Sequence, residues 1–210
     1  MLTGILAGLA AGALWGLVFV APRMVVGLSP VDFTAGRFLS YGAFSLALML
    51  LVPRTVWPTR QQAIAALYLS VLGFTGYYLL LVLAIRDAGT EVSSLIIGTI
   101  PLWMLLLGRA ELGTADAGDA GTPHFWRGVA FAVVAMLLWT AFGLLNAAWL
   151  KKHPSVNATT WANWLGVATG LGALVLWLAL GTDAKVLLGQ PGFALAAMQC
   201  VATGIGSAWL

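Results

Sequence analysis

Seven apolar runs, at 2–22, 31–52, 63–85, 91–108, 128–150, 159–181 and 193–210, take up most of this chain. Each is close to the roughly 20 residues that a helix needs to cross the hydrocarbon core of a bilayer. In that medium the backbone must satisfy its own hydrogen bonds, so only helices and closed barrels survive. Runs this long, without strict alternation, favour helix. Composition agrees, with 61% hydrophobic and 8% charged residues, where a soluble domain carries roughly 25% charged. The expected fold is all-α: a polytopic membrane helix bundle of about seven transmembrane helices, with the lipid bilayer as its first partner. The first run lacks a basic n-region and is apolar for too long to be a signal peptide.

Several function classes fall away. The net charge of +3 rests on few residues, and no basic cluster exceeds Lys151-Lys152, so no nucleic-acid partner is implied. One cysteine, Cys200, makes neither a disulfide framework nor a thiolate metal cluster. Both histidines, His124 and His153, fall between spans, so no histidine relay or metal site is expected inside the bilayer, and no cofactor. Ser207 sits in Gly204-Ile205-Gly206-Ser207 without a membrane histidine or lysine base to activate it. An enzyme is not expected.

Two stretches echo one another 124 residues apart. Gly4, Leu14, Trp15, Pro30 and Gly42 recur as Gly128, Leu138, Trp139, Pro154 and Gly166. Thr75-Gly76 is answered, after a small loop insertion, by Thr203-Gly204. Internal duplication of apolar helices is a common plan for secondary transporters, with substrate held between repeats near the midplane. The chain divides accordingly into a first repeat at 1–108, a polar linker at 109–127 (RAELGTADAGDAGTPHFWR) and a partial second repeat at 128–210. Seven spans would put Arg54, Arg60, Arg109, Arg127 and Lys185 on one face, and Arg23, Arg86, Lys151 and Lys152 on the other. That balance gives no positive-inside bias.

Polar residues inside the spans are the candidates for function. Gly4, Gly8, Gly12 and Gly16 make a small-residue ridge, read as packing or as a surface on which bundles rock. Ser29-Pro30-Val31-Asp32 is capping chemistry. Arg37 is the only charge more than one turn inside a span, a functional candidate by default. Its place near the helix start favours snorkelling to the headgroups, and its repeat mate Trp161 is another interface-preferring residue. The third span carries Gly73-Phe74-Thr75-Gly76-Tyr77-Tyr78, whose tyrosine hydroxyls either line a polar cavity or bond a neighbouring backbone. It ends near Arg86-Asp87-Ala88-Gly89, and Thr90-Glu91 is read as the cap of the next helix.

Pro101 interrupts the fourth span after Ser93, Ser94, Gly98 and Thr99, freeing the Ile97 carbonyl. In a membrane such a break stands where side chains, water or substrate satisfy the freed group. Trp57, Trp126, Trp149 and Trp161 lie near span ends as interfacial anchors, whereas Trp15 and Trp139 are mid-span. The mid-span pair serves either as packing or as the flanks of an apolar or aromatic substrate. Asn146 is an amide in an apolar span, where an unpaired polar group is costly. The candidate substrate-binding residues are therefore Trp15, Tyr77, Tyr78, Ser94, Thr99, Trp103, Trp139 and Asn146.

These stretches carry a resemblance. AGLAAGALWGLVFVAPRMVVGLSPVDFTAGRFL resembles the opening of an EamA-type repeat of the drug/metabolite transporter superfamily, where a small-residue helix ending in Trp-Gly precedes a Pro and an Arg-Phe pair. VSSLIIGTIPLWMLLLG is similar to that family's fourth helix, and GVAFAVVAMLLWTAFGLLNAAWLKKHP to the start of its second repeat. The resemblance implies a multi-pass transporter of small organic metabolites, often an exporter, in the bacterial inner membrane. It also implies ten helices in two inverted five-helix repeats working by alternating access. This chain departs in having no apolar fifth helix before the linker and in ending midway through the third helix of the second repeat. It thus looks like a shortened member. Four spans before the second repeat would set the repeats parallel, where five would invert them. The rival expectations are a non-transporting truncated membrane protein and a transporter built from paired chains, a homodimer. With no deep carboxylate, and Glu91 only at a helix mouth, exchange or facilitated movement fits better than proton coupling.

Overall fold

A computed structural model describes residues 28–52, 55–99 and 124–189, together with Phe19, Pro22 and Ala194. Helix α1, Pro30–Leu51, opens as its sequence demands. Proline takes the first turn, the Ser29 Oγ accepts the Asp32 N–H at 3.1 Å, and the Ser29 hydroxyl donates to Asp32 Oδ2 at 2.7 Å. Helix α2, Arg60–Ser70, starts three residues ahead of the expected 63. There Thr59 and Gln62 form a reciprocal capping box that satisfies two orphan N–H groups. It runs through a π turn, Val71–Thr75, into α3, Gly76–Gly98.

Gly89 breaks α3 with φ 86° and ψ 166°, a conformation that disfavours any side chain. The break falls where Arg86-Asp87-Ala88-Gly89 is expected to end a helix. Helix α2, the π turn and the first part of α3 thus make one rod from Arg60 to Ala88, and a short limb follows to Gly98. The expected cap at Thr90 does not form: its Oγ1 is buried and unbonded, because Gly89 already turns the chain. Helix α4, Phe125–Lys152, carries Lys151 and Lys152 in its last turn, where cations complement the dipole. Helix α5, Ala158–Leu180, is capped by Asn157 Oδ1, which accepts the Thr160 N–H at 2.7 Å. A short α6, Ala184–Gly189, follows.

Helices α1, α4 and α5 and the stretch Arg60–Gly98 are long and apolar enough to cross a membrane. The described residues form an all-helical bundle. Apart from Phe19, Pro22 and Ala194, the expected spans 2–22 and 193–210 lie outside the described residues, as do the second half of 91–108 and most of the linker.

Two antiparallel pairs build the core. Helix α1 crosses α5 with Phe38 and Gly42 beside Gly170, and Ser45 beside Gly166, so partners fall in number as α1 advances. The rod pairs with α4 in the same sense: Gly73 meets Phe142, Tyr77 meets Trp139, and Ala88 meets Gly128. Glycines at these crossings let backbones close without a water-driven force. The ends are tied as well. Asp32 Oδ1 accepts the Thr182 N–H at 2.9 Å, and the Trp164 indole donates to the Val56 carbonyl at 2.9 Å.

These ties correct the expected layout. Helices 30–51 and 158–180 are antiparallel, where four spans would make them parallel. Arg86 and Arg127, expected on opposite faces, both bond the Asp87 carboxylate, at 3.1 and 2.8 Å. The physical reason is local. A Cβ on Gly128 would lie 2.6 Å from the Ala88 nitrogen, so the start of α4 is pressed against the end of the rod and must run back along it.

Candidate functional site

Aromatic rings gather around the π turn, where an extra residue shifts the direction of the side chains that follow. Phe74, inside the turn, meets Phe38, Tyr41, Trp139 and Phe142 at ring-centroid distances of 6.2, 6.0, 6.3 and 5.4 Å. Gly73 carries no side chain, and the Phe142 ring occupies the space a Cβ would need. One step along the rod, Tyr77 lies 4.9 Å from Trp139. Tyr78 meets Phe33 at 6.2 Å and Phe38 at 5.5 Å. An aromatic seam therefore joins α1, the rod and α4. Each such ring pair contributes about 0.5–1.5 kcal/mol beyond its buried area.

Of the candidate residues, Tyr77, Tyr78 and Trp139 meet in this seam, with both tyrosines buried. The remaining described candidates do not join them. Ser94 donates to the Glu91 carbonyl at 3.0 Å, and Thr99 to the Ile96 carbonyl at 2.5 Å, so both hydroxyls serve their own helix. Thr99 also reaches Met136 Sδ at 3.6 Å. Asn146 accepts the Trp161 indole N–H at 2.7 Å, which answers the cost of an amide in an apolar span. Trp15 and Trp103 lie outside the described residues, as does Pro101.

Arg37 does not snorkel. Its Nε and Nη1 are buried, and the guanidinium sits 4.2 Å above the Tyr78 ring and 5.3 Å from that of Phe38. The negative face of the ring attracts the cation, an interaction worth about 2 kcal/mol when desolvated. Trp161 is likewise no interfacial anchor. It is buried, stacked 3.7 Å from Trp149, because its indole N–H finds Asn146 inside the bundle. Trp57 and Trp126 are exposed near helix ends, as expected.

Sequence reasoning passed over two features. Thr75 is 6% exposed at the end of the π turn, and its Oγ1 has no hydrogen-bond partner. Gly172 of α5 faces it, where an added Cβ would lie 3.2 Å from that oxygen. An unbonded hydroxyl at mid-span is costly. Its signal in the sequence was present, in the echo of Thr75-Gly76 by Thr203-Gly204. The second feature is the Arg86–Asp87–Arg127 tie, in which Arg127 lies 40 residues from Asp87 and shares no motif with it.

Beside that tie opens a cleft of about 360 Å³ between the start of α1 and the end of the rod. Among the described residues Leu28, Pro30, Phe33, Val82 and Ile85 give it apolar walls, and Ser29 and Arg86 supply its polar groups. Phe33 connects the cleft to the seam through Tyr78.

Comparison with known proteins adds three findings. The EamA-like transporter family matches residues 2–115. The inner membrane protein YtfF of Escherichia coli (strain K12) is 30% identical over 194 residues, which cover 77% of this chain and 60% of YtfF. The chain thus spans 60% of that relative's length. A solved crystal structure shares the fold with a TM-score of 0.57 and 18% identity, over 94% of this chain and 78% of that one.

Proposed function

The chain belongs to the EamA-like transporter family, and from that premise we propose that it moves small organic metabolites across the bacterial inner membrane by alternating access. It is a multi-pass membrane protein, and its likeness to an inner membrane protein supports that location. The working units are the two repeats, 1–108 and 128–210, joined by the 109–127 segment. Helices α1 and α5 are the second helices of these repeats. The observation that carries the reading is their antiparallel crossing, at which Gly42 and Gly166, 124 residues apart, approach each other. Inverted elements meeting at equivalent positions are the plan of many transporters that rock one bundle against another.

Substrate is taken near the seam by Tyr77, Tyr78 and Trp139, where the rings of α1, the rod and α4 meet. Apolar walls with a few fixed polar groups suit a small organic solute. Paired chains are not needed to oppose the repeats, since one chain already presents α1 and α5 in opposite senses. Purified protein in proteoliposomes tests the reading through counterflow of a panel of small organic solutes. Saturable counterflow supports it. Flux indistinguishable from empty liposomes for every solute would remove it in favour of a non-transporting membrane protein.

A further inference from the structure

The cleft beside Gly89 has one charged lining residue among those described, and it is a cation. Arg86 uses its Nε on Asp87 Oδ1 at 3.1 Å, and its side chain is half exposed. Asp87 is held from the other side by Arg127 at 2.8 Å, so this carboxylate is already shared between two guanidinium groups. Asp32, at the α1 end of the cleft, is buried, with one oxygen accepting from Ser29 and the other from the Thr182 N–H. Glu91, two residues beyond Gly89, is exposed and outside the lining. Ser29 adds a hydroxyl, the remaining described lining side chains are apolar or aromatic, and the volume of about 360 Å³ lies within the range of small-molecule sites.

We propose that this cleft is the entry site for a small amphipathic organic anion, with an apolar or aromatic body against Phe33, Val82 and Ile85 and a carboxylate on Arg86. The assignment rests on the transporter reading and names its substrate class. A planar guanidinium offers parallel N–H donors that match a carboxylate, and such charge-assisted bonds are about twice as strong as neutral ones. A pocket whose one charged lining residue, among those described, is a cation therefore discriminates by head group and tolerates variation in the body. Phe33 in turn packs on Tyr78, whose ring lies 4.2 Å from the Arg37 guanidinium.

The test is equilibrium binding to the full chain in detergent, with 3-phenylpropionate, its neutral amide and 3-phenylpropylamine as matched probes. The carboxylate is expected to bind about tenfold more tightly than the amide. That preference disappears in Arg86→Gln and is partly retained in Arg86→Lys. Val82→Phe, which fills the cleft without altering charge, weakens carboxylate and amide together. Equal binding of carboxylate and amide, preference for the amine, no binding of any probe, or a preference that survives Arg86→Gln overturns the proposal. The wild-type ratio decides the matter even if a variant fails to fold. Because no flux is read in detergent, loss of the charge preference leaves the transporter reading standing. Intact binding without counterflow in liposomes does the reverse.

Discussion

A Cβ built on Gly42 would lie 2.5 Å from the Gly170 Cα, so α1 and α5 meet there backbone to backbone. Neither glycine has room for a methyl group, and Gly166 beside them is filled by Ser45. Gly42→Leu is expected to lower thermal stability in detergent by about 1–3 kcal/mol, as overpacking does. Leu178→Ala, on the exposed side of α5, is expected to change it little. Equal effects of the two would contradict the crossing.

Arg37 separates two physical readings. A snorkelling cation is interchangeable with lysine, whereas a guanidinium stacked on a ring is not. Arg37→Lys is therefore expected to lose much of what Arg37→Met loses, about 1–2 kcal/mol of stability. Thermal unfolding of the three proteins checks this, and a lysine variant as stable as wild type would return Arg37 to the headgroups.

Asp87 links the rod to α4 through Arg127 while its side chain is only 4% exposed. Both arginines are about half exposed, so solvent weakens the tie. Asp87→Asn is expected to cost about 1–2 kcal/mol. Asp87→Asn combined with Arg127→Gln is expected to cost less than the sum of the single changes. Strict additivity in a double-mutant cycle would mean that the two groups do not interact.

Membrane sidedness follows from the same contacts. Single cysteines in a Cys200→Ala background, probed with an impermeant thiol reagent, are expected to place Thr55→Cys and Ser155→Cys on one face and Asp183→Cys on the other. Span counting sets Thr55 and Ser155 opposite. Labelling of those two from opposite sides would restore the parallel layout.

Much of this was legible in the residues. Ser29-Pro30-Val31-Asp32 declares the start of α1 because each residue has a distinct capping task, and the break at Gly89 was visible as a helix end. The π turn was not legible, since one inserted residue in a uniformly apolar run leaves no periodic mark. The layout failed at Arg127, because counting apolar runs assigns a face to a residue only if every crossing is counted correctly. Asp87, shared between two arginines, reports the face directly. Among candidate side chains, Tyr77 and Trp139 stood out because large aromatics inside a span are conspicuous, and their rings lie 4.9 Å apart. Ser94 and Thr99 were selected for the same polarity that their own backbone carbonyls absorb.

Thr75 gives the most direct test of alternating access, because it needs no knowledge of substrate. It is buried at the π turn, beside the aromatic seam, and Thr75→Cys in the Cys200→Ala background is nearly isosteric. Membrane-impermeant methanethiosulfonate would be applied to oriented proteoliposomes from the outside alone and, in a second sample, from the lumen alone. Alternating access predicts labelling of the same cysteine from each side, slower than at Asp183→Cys but complete. A cysteine that stays unreacted from both sides, while the protein remains folded, would contradict a transporter and leave a static bundle.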